Sequence, residues 1–186
     1  MIAHHFSVSQ YHRMIQTEVL GENDRVELLE GSVVPKTTHI PPHDCAVSLA
    51  HASLLAALSK RWVVRVQSAI TTEDSEPEPD LVVARGPARR YLAAHPHPED
   101  IALTVEVADS TLDLDRIDKA RIYARGGIPV YWIINLIDSA VEVYSRPSGR
   151  ASFTYQQRDD YFAGNRVPLV ISGKRIAWIE ADDLLP

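Results

Sequence analysis

Ile101-Ala102-Leu103-Thr104-Val105-Glu106-Val107-Ala108, then a helical-looking run from Leu112 to Arg125, then Val130-Tyr131-Trp132-Ile133-Ile134-Asn135-Leu136: this stretch decides the fold. The first segment alternates, with Ile101, Leu103, Val105 and Val107 on one face and Thr104 and Glu106 on the other, the period of a strand. The second ends at Gly126-Gly127, a helix stop. The third is almost continuously apolar, as a strand covered on both faces must be. A strand, a helix and a strand of this length predict a right-handed parallel crossover at the centre of a mixed sheet.

Outward from this unit the chain is mixed α and β. Ser7-Val8-Ser9-Gln10 reads as a capping box opening a short helix to about Gln16. Val26–Leu29 and Ser32–Val34 flank Glu30-Gly31, a hairpin signal. Residues 43–62 place Val47, Leu54, Leu55 and Leu58 at helical spacing. Val63–Ile70, Asp80–Ala84, Val141–Tyr144 and a last pair within Val167–Ile179 read as strands. The fold class is therefore α/β with a central mixed sheet flanked by helices. With 186 residues and no linker-like segment, a single domain over 1–186 is expected.

Composition narrows the function classes. Hydrophobic residues make up 45% and charged residues 24%, a globular balance that excludes a wholly disordered chain. Cys45 stands alone, so an internal disulfide framework and a Cys-rich zinc module are both excluded. No apolar stretch is long enough for a bilayer, and residues 1–6 lack a leader's apolar region, so a cytoplasmic protein with no membrane partner is expected. The net charge of −6 argues against loose coating of duplex DNA, which rests on many Lys and Arg contacts.

Glu106 is the residue to explain, because a carboxylate in an apolar strand must be paired, protonated or bound to a cation unless that face is open to water. Asp80 follows Pro79 at the start of another strand. Two acids on neighbouring strands supply hard oxygen ligands suited to Mg²⁺ or Mn²⁺. Asp115, Lys119 and Tyr123 are spaced four apart and line one stripe of the crossover helix. That stripe either aims Lys119 at Glu106 or forms an ordinary surface pair.

Pro79-Asp80, then Val105-Glu106-Val107, then a lysine resembles the PD-(D/E)XK nuclease pattern, with the lysine moved from the strand to the next helix. The set Arg25-Val26-Glu27-Leu28-Leu29-Glu30-Gly31, Ser75 to Leu81, Val105 to Thr111, Asp115, Lys119, Tyr123 and Gly127-Ile128-Pro129-Val130-Tyr131-Trp132 is similar, in order, to the Uma family of restriction-endonuclease-like proteins. The resemblance runs from about Val8 to Leu184. It implies a restriction-endonuclease-like core and metal-dependent phosphodiester cleavage, with DNA as substrate, RNA not excluded, and a homodimer. By the same match Asp80 and Glu106 are catalytic metal ligands, Glu27 a third carboxylate, and Lys119 the catalytic amine. The superfamily's usual lysine position, two residues after the strand acid, is held here by Ala108. Expected nucleic-acid contacts are His43, Gln67, Arg85, Arg116 and Tyr123. The alternatives are an inactive nuclease-fold binding module and a carboxylate-pair glycosidase, which leaves Lys119 without a role.

The eight histidines do not predict zinc: HExxH is absent, and Pro41-Pro42 between His39 and His43 argues against a shared helix face.

Overall fold

The computed structural model describes residues 4–21, 23–148 and 152–186. Residues 1–3, part of the stretch read above for a leader, lie outside them. A six-stranded sheet forms the centre, in the order β3 (Trp62–Val66), β4 (Leu81–Arg85), β5 (Ile101–Ala108), β6 (Val130–Asn135), β7 (Ala140–Pro147) and β8 (Tyr155–Phe162). Every neighbouring pair is antiparallel except β5 and β6, which run parallel with Glu106 opposite Ile133. This is the crossover that the central stretch predicts.

Strand alternation sorts the sheet's side chains between two layers. Leu103, Val105, Val107, Trp132, Ile134, Val141 and Val143 pack with helix α2 (Pro41–Ala57) and with the hairpin of β9 (Arg166–Ile171) and β10 (Lys174–Glu180). Val82, Tyr131, Ile133 and Tyr144 face the opposite layer, where the crossover helix supplies Leu112, Ala120, Ile122 and Tyr123. Every residue of β5 is buried. The face carrying Thr104 and Glu106 is therefore covered, and the open-face explanation of Glu106 fails.

The crossover helix is wound in three pieces: α3 (Leu112–Leu114), a π-helical turn over Asp115–Lys119, and α4 (Ala120–Gly126). Gly127 ends it in the left-handed region at φ 76°, where a residue lacking Cβ is unstrained. Helix α1 (Val8–Gln16) opens with the expected capping box, Ser7 accepting from the Gln10 amide while the Gln10 side chain accepts from the Ser7 amide. The hairpin of β1 (Val26–Leu29) and β2 (Ser32–Pro35) turns through Glu30 and Gly31 at φ 47° and 77°, the two positive values a tight two-residue hairpin needs.

One expectation gives way, and one strand carries no sequence signal. The strand read over Val63–Ile70 leaves the sheet after Val66, because Gln67 takes φ 43° and turns the chain; Ile70 then donates its amide to Pro77 from a buried loop. The edge strand β8 lacks apolar alternation, since Gln156, Arg158, Asp159 and Asp160 face solvent, so no hydrophobic period marked it. No helix among the described residues is long and apolar enough to cross a membrane.

Candidate functional site

The loop before β4, the end of β5, the crossover helix, the β1–β2 hairpin and the start of α2 converge on one pocket. Its lining includes Glu27, His39, His43, Asp80, Glu106, Asp115 and Lys119. Asp80 directly precedes β4; continuing the antiparallel Leu81–Val105 register sets it across from Glu106. Its Oδ2 accepts the Val107 backbone N–H at 2.8 Å and lies 3.2 Å from His43 Nε2. Burial opposes the charge on Asp80, but His43 and the Val107 amide outweigh it and hold the carboxyl below its ordinary range.

Glu106 lies deeper. Tyr123 donates to its Oε1 at 2.6 Å, and Lys119 Nζ approaches the same oxygen at 3.0 Å. Burial dominates here: even with Lys119 alongside, the Glu106 carboxyl is held well above the usual range, and Asp115 and Asp80 push it the same way. Lys119 itself is only 7% exposed. Its amine also lies 3.6 Å from Asp115 Oδ1 and 3.8 Å from Glu27 Oε1. Burial alone would strip its proton, but Glu106, Glu27 and Asp115 outweigh that cost and raise its pKa. Asp115 is raised as well, by burial first. Thr111 donates to its Oδ2 at 2.7 Å, while its buried Oδ1 has no hydrogen-bond partner. The i, i+4 stripe thus points inward, and the surface-pair alternative is set aside by the burial of both side chains.

Four buried carboxylates (Glu27, Asp80, Glu106 and Asp115) therefore share one lysine and one histidine. Such a set is short of positive charge, and its oxygens are the hard donors that Mg²⁺ and Mn²⁺ take. The donor chemistry and the orphaned Asp115 oxygen both fit a divalent cation. Glu27 is anchored in turn: its Oε2 accepts the Glu78 amide at 3.0 Å.

The other expected contacts divide. His43 belongs to the pocket. Gln67 reaches its edge, donating from Nε2 to His39 Nδ1 at 3.1 Å and to Asp80 Oδ1 at 3.4 Å. Tyr123 is fully buried beneath Glu106, so its hydroxyl serves the carboxylate and is closed to a nucleic-acid surface. Arg116, three residues from Lys119, turns to the other side of the helix and pairs with Glu142 and Asp138. Arg85 lies over the Trp62 ring at the far end of β4. Arg85 and Arg116 thus lie away from the acid-rich pocket, Arg116 lining a separate hollow beside Tyr144 and Tyr155.

Sequence reasoning gave His39 and Asp115 no place in the site. Asp115 was marked by its spacing from Lys119, whose inward direction only the packing reveals. His39 was discounted because of the proline pair. In the structure Pro41 is the first residue of α2 and Ile40 is its extended N-cap. His39 therefore enters from outside the helix and lays its ring on that of His43, with centroids 4.2 Å apart and planes 17° from parallel. A ligand atom from each of His39, His43 and Asp80 lies within 4.8 Å of the others.

Comparison with known proteins gives the same direction. The solved structure of a protein described as a putative nuclease belonging to DUF820, from Anabaena variabilis ATCC 29413, is similar over 90% of this chain and 94% of that one. Its TM-score is 0.71 at 18% identity, a likeness of fold. No curated protein matches the chain. The family model described as "Uma2: Putative restriction endonuclease" matches residues 8–172. The chain carrying this acid-rich pocket belongs to the Uma2 family.

Proposed function

We propose that this chain is a divalent-metal-dependent endonuclease that hydrolyses phosphodiester bonds in DNA, with Asp80, Glu106 and Lys119 as its catalytic residues. The observation that carries the reading is the Lys119 amine, 3.0 Å from Glu106 in a pocket where four buried carboxylates outnumber the cations. A glycosidase needs two carboxyl groups and gives a buried lysine among them no task. A nuclease gives it one.

Asp80, Glu106 and Glu27 would hold the cation. When bound, Mg²⁺ or Mn²⁺ supplies an acidified water and a counter-charge for the phosphoryl oxygens. Lys119, kept charged by its carboxylate neighbours, orients the attacking water and offsets negative charge at the phosphorus as the transition state forms. The Val107 amide fixes the rotamer of Asp80, and the Tyr123 hydroxyl fixes that of Glu106. Both acids are thus preset before substrate arrives.

The test incubates the protein with supercoiled plasmid, linear duplex, single strand and RNA, in Mg²⁺, Mn²⁺ or EDTA, beside Glu106→Ala and Lys119→Ala. Metal-dependent cutting of DNA that both variants lose is expected. Binding without cutting on every substrate would make the chain a binding module and overturn the proposal.

A further inference from the structure

We propose that His39, His43 and Asp80 form a binding site for a borderline transition-metal ion such as Zn²⁺ or Co²⁺ at the mouth of the pocket, sharing Asp80 with the carboxylate set around Glu106 and needing none of its other members. One ligand atom from each residue already lies within 4.8 Å of the other two, so small side-chain rotations bring all three onto one ion. Two imidazole nitrogens and one carboxylate oxygen select Zn²⁺ or Co²⁺ over Mg²⁺, which prefers an all-oxygen shell. Three protein donors with one position left open is a common arrangement for accessible zinc.

The surroundings fit a ligand role. His43 Nε2 faces Asp80 Oδ2 at 3.2 Å, while its Nδ1 is buried and has no hydrogen-bond partner. The nearest carboxylate to that nitrogen, Asp44 Oδ1, lies 3.6 Å away and is also 3.7 Å from His39 Nδ1. A slight closure lets Asp44 accept the Nδ1 proton of His43, the outer contact that commonly orients a metal-bound imidazole through its other nitrogen. The Gln67 amide marks where the donors converge. His39 Nδ1 and Asp80 Oδ1 both accept from the same Nε2. That NH₂ group stands where a cation would, and turning the amide over would present its oxygen as a fourth donor. The His39 side chain is 32% exposed, which leaves an entry path.

The inference does not rest on the nuclease reading, since the ion binds whether or not the chain cuts DNA. Co²⁺ is titrated into the full chain and followed by visible absorption, with Zn²⁺ then added to displace it and its affinity measured by calorimetry. His39→Ala, whose folding is checked by thermal melting, should weaken Zn²⁺ at least tenfold. Asp44→Asn should weaken it on the order of tenfold through the outer contact. Glu106→Gln should leave it unchanged. A wild-type titration without Co²⁺ bands, a His39→Ala variant that binds like wild type, or loss of binding in Glu106→Gln alone would each overturn the site. The last result would assign the ion to the deeper carboxylates instead.

Discussion

Two glutamates flank the same residue of the central sheet. Ile133 on β6 pairs with Glu106 on β5 and with Glu142 on β7. Each glutamate is buried, each accepts a tyrosine hydroxyl, and each meets a cation from the same helix: Tyr123 and Lys119 for Glu106, Tyr144 and Arg116 for Glu142. Their charge balance differs. Glu142 has two guanidinium groups, Arg116 at 2.5 Å and Arg158 at 3.3 Å, and the Asn135 amide at 2.8 Å, although Arg116 and Asn135 also reach Asp138 and Arg158 also reaches Asp160. Burial would push its carboxyl up, but Arg116, Tyr144 and Asn135 outweigh burial and hold it below the usual range. Lys119 is divided among three carboxylates, so Glu106 goes the other way. A buried acid with its full complement of donors is structural; one left short of positive charge beside a pocket is an invitation to a cation.

The largest test of this contrast replaces the two cations. Lys119→Ala should reduce metal-dependent plasmid cleavage by on the order of 10²-fold or more. Arg116→Ala should cleave at close to the wild-type rate while unfolding at lower urea. Equal losses of cleavage would erase the distinction. Next come the acids themselves. Glu142→Gln removes the buried carboxylate that joins two guanidinium groups, leaving Arg116 with Asp138 and Arg158 with Asp160, and should cost about 2 kcal/mol in urea unfolding. Glu106→Gln removes an acid whose charge burial disfavours, so its unfolding free energy should change by less than about 1 kcal/mol, although cleavage is lost.

A pH series sharpens the same point. The Glu142 carboxyl is depressed in the folded state, so its stabilising contribution is present above the ordinary glutamate range, about 4.3. That contribution disappears as pH falls through the lower folded value. Urea midpoints measured from pH 6 down to pH 3 should fall less steeply in Glu142→Gln than in wild type. The smallest effects come from the hydroxyls. Tyr144→Phe and Tyr123→Phe should each cost about 1 kcal/mol, and only Tyr123→Phe should slow cleavage, by less than about tenfold.

The central crossover was legible because periodicity and burial agree there: alternation in β5, a capped helix, and an apolar run in β6. The carboxylates at 80 and 106 were visible as acids set in apolar strands. The direction of Lys119 was not, because residues spaced four apart share a stripe whichever way it points, and only packing against β5 turns it inward. Tyr123 and Arg116 show the converse. Both sit near Lys119 in sequence, yet one is sealed beneath Glu106 and the other is claimed by an acid two strands away. His39 was hidden because the proline rule rightly denies it a helix face shared with His43 but says nothing of the chain before the helix, which folds back.

The amine's position also depends on how the helix is wound. The turn over Asp115–Lys119 is a π-helical one, looser than its neighbours by one residue. Deleting a single residue between Asp115 and Lys119 would restore even winding and leave the flanking turns nearly in place, because the loose turn is what absorbs the extra residue, but it would cut the spacing of these two side chains from four residues to three. Asp115 and Lys119 could then no longer meet the same partners. Chain length in this segment is as much a part of the pocket as any side chain in it.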